Sequence, residues 1–278
     1  GAEWGGPSFD PQTGYLYVNA NEMGWLLTLT ETKAAPAKKE NYLQAGQRLY
    51  TQNCMGCHGP DRSGSGNYPS IVDANKKYGI DSLLLLINNG RRMMPSFRQL
   101  NAEEKKAIVD FVLDIKTEQK KVFIPSLQPV DTFRQLPYSM TGYYKFLSPE
   151  KYPAISPPWG TLTAINLNTG EHVWKKNLGE YPELKAKGIP PTGTENYGGS
   201  VVTAGGLLFI AATRDGKVRA FNKYNGKLLW EHDLPAPGFA TPAVYSIKGK
   251  QFLVITCGGG KLETKSGDSY VAFALPSK

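Results

Sequence analysis

Residues 54–59 read Cys54-Met55-Gly56-Cys57-His58-Gly59. Two cysteines three positions apart, followed directly by a histidine, are the sequence mark of covalent haem attachment. Both thiols lie on one helical turn, where they can add to the two vinyl groups of a haem, and the adjacent imidazole then faces the iron. We therefore predict that Cys54 and Cys57 attach haem c and that His58 is its proximal iron ligand.

A Met-Pro pair, Met94-Pro95, lies in a segment rich in turn-forming residues, 36 positions after His58. With this pair, residues 38–120 resemble a small class I cytochrome c domain, in which a loop methionine before proline is the distal ligand. The resemblance implies that Met94 is the second axial ligand, with Met93 as the alternative. A thioether opposite an imidazole favours ferrous iron and suits an electron carrier. The filled sixth site argues against peroxidase or oxygen chemistry.

The segments around the motif have the pattern of an all-α domain. Residues 40–53 carry an apolar helical stripe into the haem motif, and Asn101 with Glu104 predicts an N-cap for a second helix. Asp81-Ser82 predicts the cap of a third, short helix. The resemblance implies that the first and last helices cross at a small residue and an aromatic, which Gly46 with Tyr50 against Phe111 would supply.

The resemblance also implies residues that surround the haem. Pro69, 11 positions after His58, would accept the imidazole N–H through its carbonyl, a bond that fixes the ring and raises its basicity. Gly90 and Arg91 would line the distal side. Arg91 and Arg92 could contact the propionates or could be solvated loop arginines.

Other interpretations of the same residues stay open. Cys54 and Cys57 could be zinc ligands or a disulfide pair, although the chain has no second Cys-x-x-Cys or paired histidines. Met94 could fill a hydrophobic core.

The chain has 278 residues, 40% of them hydrophobic, which is enough for two domains. Its third cysteine, Cys257, has no partner outside the haem motif, so no disulfide framework is predicted. No apolar run approaches the roughly 18 residues that a membrane span needs. The net charge of +8 could favour acidic redox partners or describe a solvated surface. No pattern of basic and aromatic residues indicates nucleic-acid binding.

Haem is attached to such motifs outside the cytoplasm, so we expect a periplasmic or otherwise exported bacterial protein. The chain shows no signal peptide and begins abruptly, which we interpret as a processed or cloned piece of a longer protein.

A repeat begins where the Pro-rich stretch after the haem segment ends. Residues 160–174 (GTLTAINLNTGEHVW) return 56 positions later as residues 216–230 (GKVRAFNKYNGKLLW), and residues 268–275 (DSYVAFAL) are a weaker copy. The first two copies each predict a strand, a Gly turn and a strand ending in Trp, whereas the third ends at Pro276 without its last strand. Further strands are predicted upstream of the copies at 14–20, 206–211 and 249–256. Such repeats indicate propeller blades, in which Trp174 and Trp230 pack between neighbouring sheets. His172 and His232 are expected to be exposed strand residues rather than ligands.

The repeat resembles the quinoprotein dehydrogenases, eight-bladed propellers that use pyrroloquinoline quinone (PQQ), and in particular the glucose-dehydrogenase-like branch. The motifs that carry the resemblance are WGGP at 4–7 with Asp10-Pro11, PPWGTL at 157–162, TGTENYGG at 192–199, ATP at 240–242, CGGGK at 257–261 and VAFALP at 271–276.

The resemblance implies a mixed fold: an all-β partial propeller of about three blades with an inserted all-α cytochrome c domain. Residues 1–32 would begin a blade, 33–124 would be the inserted domain and 125–278 the remaining blades. Residues 144–147 and those from Gly160 onward would complete the first blade. Because three blades cannot close a ring, the missing blades would lie on another chain, or copies of this chain would associate.

In the family, a carboxylate takes the substrate proton, the quinone takes hydride, and calcium and PQQ lie on the propeller axis. Asn196, Tyr197, Gly198 and Gly199 could line the PQQ pocket or could simply begin a blade. The catalytic carboxylate and calcium ligands belong to blades not present here, so none is assigned.

Two hypotheses follow. In the first, the chain is the haem-bearing part of a PQQ-dependent dehydrogenase of sugars or alcohols that passes electrons to a downstream acceptor such as a cytochrome or oxidase. In the second, it is an electron-transfer module on a non-catalytic propeller segment. A haem sensor is a weaker third interpretation, which the Met94 ligand opposes.

Overall fold

The computed structural model describes residues 1–2, 5–31, 40–64, 68–124 and 137–275. Trp4, residues 32–39, residues 125–136 and Pro276 lie outside these ranges. The chain divides into two compact units, one formed by Gly1–Gly24 with Phe146–Lys278 and the other by Trp25–Lys145. Within the described ranges, no helix has both the length and the apolar character needed to cross a bilayer.

The unit of residues 25–145 contains helices and two short antiparallel strand pairs. Its described helices are α1 (Tyr42–Asn53), α2 (Met55–His58), α3 (Ile80–Asn89), α4 (Ala102–Val112) and α5 (Lys116–Gln119), with a 3₁₀ turn at Ala74–Lys76. Its strands are β3 (Trp25–Leu26), which pairs with β6 (Tyr144–Lys145), and β4 (Leu29–Glu31), which pairs with β5 (Tyr138–Met140).

Reciprocal capping boxes start the two longest helices of this unit. Asn41 caps α1 together with Gln44, and Asn101 caps α4 together with Glu104. Each pair satisfies two backbone N–H groups that a helix terminus leaves without partners. The prediction for Asn101 is confirmed.

Helices α1 and α4 cross at the predicted small residue. A Cβ on Gly46 would lie 2.4 Å from the carbonyl oxygen of Ala107, so no larger residue fits between the backbones. The rings of Tyr50 and Phe111 pack beside this point, with centroids 5.4 Å apart. The predicted contact is therefore confirmed.

The start of α3 differs from the prediction. The helix begins at Ile80 with Gly79 as N-cap, so Asp81 lies in its first turn rather than at the cap. The Ser82 hydroxyl donates a hydrogen bond to the Gly79 carbonyl oxygen at 2.9 Å. A carboxylate in the first turn is favourable because it faces the positive end of the helix dipole.

The other unit contains three antiparallel sheets and the short helix α6 (Pro182–Ala186). The first sheet has the order β1-β2-β7-β8, with strands Ser8–Asp10, Tyr15–Asn21, Gly160–Asn166 and His172–Asn177. The second has the order β12-β11-β10-β9, with strands Leu228–Asp233, Lys217–Asn222, Leu207–Ile210 and Ser200–Val202. The third has the order β13-β14-β15, with strands Ala243–Ile247, Lys250–Cys257 and Ser269–Ala274.

Strands from the two ends of the sequence form the first sheet. All seven residues of β2 pair with β7, from Tyr15 opposite Asn166 to Asn21 opposite Gly160. The expectation that residues from Gly160 onward complete this sheet is confirmed. The same expectation for residues 144–147 is wrong, because Tyr144 and Lys145 pair with β3 instead.

The two copies of the repeat form equivalent hairpins. Both have a register shift at the same place, after Ala164 in the first copy and after Ala220 in the second. Both turns use a glycine with positive φ, Gly170 at 76° and Gly226 at 67°, a conformation that costs glycine little. The shared bulge shows that the repeat extends to backbone geometry.

The Trp residues of the repeats contact the next sheet. Trp174 is 8% exposed and donates its indole N–H to the Lys223 carbonyl oxygen at 3.1 Å. The Trp230 ring lies 5.2 Å from that of Phe273 in the third sheet but stays 38% exposed. The predicted packing is confirmed for Trp174, whereas Trp230 contacts the third sheet but remains exposed. His172 and His232 are exposed as expected.

Candidate haem centre and Gly-Gly loop

The short helix α2 presents His58 toward a loop carbonyl. Gly59, with φ at 77°, ends the helix directly after the histidine. The His58 Nδ1 lies 3.0 Å from the carbonyl oxygen of Pro69. A carbonyl can only accept, so Nδ1 carries a proton, and in the neutral ring Nε2 then has the lone pair that a metal would need.

Backbone contacts hold the Pro69 loop beside this histidine. The N–H of Gly64 donates to the His58 carbonyl oxygen at 2.8 Å. A Cβ on Gly64 would lie 2.5 Å from the Tyr68 carbonyl oxygen, so glycine permits the approach. Tyr50 in α1 donates its hydroxyl to the Gly59 carbonyl oxygen at 2.6 Å. The helix core thus fixes both sides of the turn that carries His58.

Cys54 and Cys57 are both free thiols on this turn. Burial raises the pKa of each thiol, and for Cys57 a hydrogen bond from Tyr68 acts in the opposite direction. Within the part of the chain that the structure describes, no group of three or more His, Cys, Asp or Glu side chains could hold a metal ion.

Met94 lies in a tight turn built on Gly90. The Arg91 N–H donates to the Met94 carbonyl oxygen at 2.9 Å, and the Met94 N–H donates to the Arg91 carbonyl oxygen at 3.0 Å. A Cβ on Gly90 would lie 2.5 Å from the Met94 carbonyl oxygen, and Gly90 has φ at 72°. This close approach requires a glycine before the turn.

The two neighbouring methionines face different surroundings. Met94 is half-buried and packs on the helix core, whereas Met93 is 68% exposed. Arg91 and Arg92 are both exposed, and Arg92 has φ at 55°. Of the two ligand candidates, the core-facing thioether belongs to Met94.

The donor set fits a haem c. It comprises two free thiols on one turn, a histidine whose Nδ1 is engaged, and a thioether in a separate loop. Cys54 and Met94 both pack against the same helix core. An imidazole with a thioether is a usual axial pair for cytochromes c.

Asn196, the first candidate for a quinone pocket, is completely buried. Its Oδ1 accepts from Asn19 Nδ2 at 2.7 Å, and its Nδ2 donates to the Ala20 carbonyl oxygen at 3.2 Å. Its backbone N–H donates to Asn21 Oδ1 at 2.7 Å. Protein groups therefore satisfy both ends of the amide, which supports a structural role between the first and second sheets.

Gly198 and Gly199 bring three loops together. A Cβ on Gly198 would lie 2.6 Å from the Phe239 carbonyl oxygen, and one on Gly199 would lie 2.5 Å from the Gly6 carbonyl oxygen. The Thr241 hydroxyl accepts from the Gly199 N–H at 3.0 Å and donates to the Gly5 carbonyl oxygen at 3.0 Å. The Gly-Gly pair thus permits backbone packing that no side chain would allow.

Tyr197 is the member of the group with a partly exposed side chain. Its hydroxyl donates to Glu195 Oε1 at 3.2 Å, and the Lys261 ammonium lies 4.4 Å from its ring centroid. The sequence assigns no role to Lys261, because no local spacing links it to Tyr197. The fold creates this three-residue cluster.

Two protein-family models match this chain, one for a β-propeller domain and one for a cytochrome subunit. The model of the PQQ family, described as glucose/ethanol/alcohol dehydrogenase, beta-propeller domain, matches residues 81–253. A second model, described as cytochrome C oxidase, cbb3-type, subunit III, matches residues 41–112.

Similar proteins are longer than this chain. Quinoprotein glucose dehydrogenase A of Acinetobacter calcoaceticus is 48% identical over 136 residues, covering 47% of this chain and 17% of that protein. Quinoprotein glucose dehydrogenase of Escherichia coli (strain K12) is 45% identical over 148 residues, covering 51% and 18%. The structure of quinohemoprotein alcohol dehydrogenase from Comamonas testosteroni aligns over 100% of this chain and 28% of its own chain. The alignment has 17% sequence identity and a TM-score of 0.45. The PQQ family model matches more than half of the residues of this chain. The chain therefore belongs to the PQQ family of glucose, ethanol and alcohol dehydrogenase β-propeller domains.

Proposed function

We propose that this chain carries haem c and transfers electrons within a PQQ-dependent dehydrogenase that oxidises a sugar or an alcohol. The observation that carries the proposal is the His58–Pro69 hydrogen bond in a Cys-x-x-Cys-His turn, in a chain of the PQQ family. The curated relatives supply the substrate class, and the chain spans less than a fifth of their length.

Residues of this chain would hold the haem on both faces. Cys54 and Cys57 would attach it, His58 Nε2 would bind the iron, and Met94 would supply the second ligand. When bound, haem c supplies a one-electron couple. The Pro69 carbonyl holds the imidazole in the tautomer whose Nε2 can bind metal.

We propose the same domain organisation that the resemblance implies. Residues 33–124 form an inserted cytochrome c domain, flanked by 1–32 and 125–278, which form a partial propeller of about three blades. The sheets of four, four and three strands support this arrangement. The remaining blades would come from a longer chain or from a partner.

For the quinone, Tyr197 with Glu195 and Lys261 is the candidate that the geometry supports best, because Asn196 is used within the protein. We assign no catalytic carboxylate and no calcium ligand. The protein would work in the bacterial periplasm or another exported location, where haem c is attached, and would pass electrons to a cytochrome or an oxidase.

Covalent haem attachment is tested by maturing the protein with a haem-attachment system and recording the pyridine haemochrome spectrum. Cys57→Ala should shift the α band because one thioether is lost, whereas Cys257→Ala, a change at a buried cysteine of the other unit, should leave it unchanged. An unchanged band in Cys57→Ala, or protein without covalent haem, would overturn the proposal.

The dehydrogenase hypothesis is tested anaerobically on the ferric protein. Calcium, PQQ and an aldose or a primary alcohol are added, and reduction of the haem is followed by its absorption. Reduction that needs both substrate and PQQ supports the dehydrogenase. Haem that ascorbate reduces but substrate does not would favour the electron-transfer module on a non-catalytic segment.

A further inference from the structure

Three aromatic rings in the unit of residues 25–145 form a continuous series next to the haem-attachment turn. The ring centroids of Trp25 and Tyr143 lie 6.3 Å apart, edge to face, and those of Tyr143 and Tyr68 lie 6.1 Å apart. These are contact distances for aromatic pairs. Tyr68 precedes Pro69, whose carbonyl oxygen accepts from His58.

The inner end of this series lies at the haem-attachment turn. Tyr68 directly precedes Pro69, whose carbonyl oxygen lies 3.0 Å from His58 Nδ1, and the Tyr68 hydroxyl counteracts the rise that burial causes in the pKa of the Cys57 thiol. Strand β5 packs on the same turn, since a Cβ on Gly56 would lie 3.4 Å from the Met140 methyl carbon. The short strands outside the helices therefore cover the Cys-x-x-Cys-His turn.

The outer end of the series reaches the surface. Trp25 is 47% exposed and Tyr143 is 40% exposed, whereas Tyr68 is partly buried. The Lys145 ammonium lies 5.9 Å from the Trp25 ring centroid. A large exposed indole beside a cation offers a partner both apolar area and positive charge.

We propose that Trp25, Tyr143 and Tyr68 form the route along which an electron moves between the protein surface and the haem, with Tyr68 at its inner end beside the turn that carries Cys57 and His58. The proposal rests on the proposed function, because it needs haem at Cys57. A cytochrome or oxidase docked at Trp25 would gain one electron as ferrous haem is oxidised to ferric, and the same route would carry an electron inward from a donor attached at the surface. The rings stay closed-shell and only provide contiguous π density, so no proton moves and no aromatic residue is oxidised.

The test uses the haem-loaded chain with Lys145→Cys labelled by a ruthenium polypyridyl complex. Cys257 is buried and escapes the label. Laser excitation makes the label the one-electron donor, and haem absorption reports the rate of electron transfer. Tyr143→Leu and Tyr68→Leu should slow this rate severalfold. Tyr143→Phe should keep it, because the ring remains.

Tyr138→Leu is the matched control, since Tyr138 lies on β5 and is 49% exposed. It should leave the rate unchanged. Equal rates in Tyr143→Leu, Tyr68→Leu and Tyr138→Leu, with unchanged haem spectrum and midpoint potential, would overturn the proposal. Failure to attach haem or to show the His/Met spectrum in the unmutated protein would count instead against the proposed function.

Discussion

The Lys223 ammonium lies 2.8 Å from Asp10 Oδ2, and the side chains of both residues are almost completely buried. Asp10 ends the first strand of the first sheet, and Lys223 begins the hairpin turn of the second. Burial alone would raise the pKa of Asp10, but hydrogen bonds from Lys223, Thr13 and the Gln12 N–H hold it below its usual value. This ion pair links the first and second sheets, and its formation requires two charged groups to lose their hydration.

Removing one partner of this pair should therefore be costly. We expect Lys223→Met to lower the free energy of unfolding by about 3–5 kcal/mol, because it leaves a buried carboxylate without its counter-charge. The double variant Asp10→Asn with Lys223→Met should recover much of that loss. Urea unfolding measures both, and a single variant as stable as the double would contradict the prediction.

The same pair predicts a pH dependence. The pKa of Asp10 is lowered in the folded state. The stability that Asp10 contributes is therefore fully present above the ordinary Asp pKa of about 3.9 and is lost as pH falls through the folded-state pKa. The pKa of Lys223 is raised in the folded state, chiefly by the hydrogen bond to Asp10. The stability that Lys223 contributes is therefore fully present below the ordinary Lys pKa of about 10.4 and is lost as pH rises through the folded-state pKa. The stability difference between wild type and the double variant should be constant near neutral pH and should change in acid. A difference that is independent of pH down to acid unfolding would argue against this account.

Met94→Ala should abolish the low-spin His/Met absorption spectrum of the haem-loaded protein, whereas Met93→Ala should preserve it. Met94 packs on the helix core, and Met93 is exposed. The reverse result would make Met93 the ligand.

Gly90→Ala should displace the Met94 turn and weaken the His/Met spectrum. The added methyl group would meet the Met94 carbonyl oxygen, and the positive φ adds strain of about 1–3 kcal/mol. Gly170→Ala is the control, because Gly170 has φ at 76° but nothing within 4 Å of the added Cβ. Equal effects on stability would show that backbone strain alone matters at Gly90.

Trp174→Ala should lower the free energy of unfolding by about 3–5 kcal/mol, the usual cost of emptying a buried Trp site. Trp230→Ala should cost clearly less, since this residue is 38% exposed in contrast to 8% for Trp174. Denaturant unfolding of the two variants provides the comparison. Equal losses would mean that further groups cover Trp230.

Asn196→Ala should lower stability by about 1–3 kcal/mol, because it removes one of the two acceptors of the buried Asn19 amide and the side-chain donor to the Ala20 carbonyl oxygen. Asn177→Ala, which removes an exposed hydrogen bond to the Pro191 carbonyl oxygen, is the matched control and should cost less. If Asn196→Ala instead kept its stability and lost PQQ binding, Asn196 would belong to the quinone pocket.

Local patterns predicted much of the secondary structure. The N-cap at Asn101, the strand pairs of the two repeat copies and the contact at Gly46 follow from signals within a few residues or from simple repetition. The start of α3 was misplaced because Gly79 caps it, and glycine is a weak signal at that position.

By itself, the sequence determined the Cys-x-x-Cys-His spacing of the α2 turn and the repeated hairpins, since residue spacing and period-two alternation act over short distances. Only the tertiary structure decided that Asp10 meets Lys223, that Tyr144 and Lys145 pair with Trp25 and Leu26, and that the Tyr68 ring packs against Tyr143. These contacts join segments far apart in the chain. Their selection depends on the summed packing and desolvation energies of the whole unit, which no local pattern records.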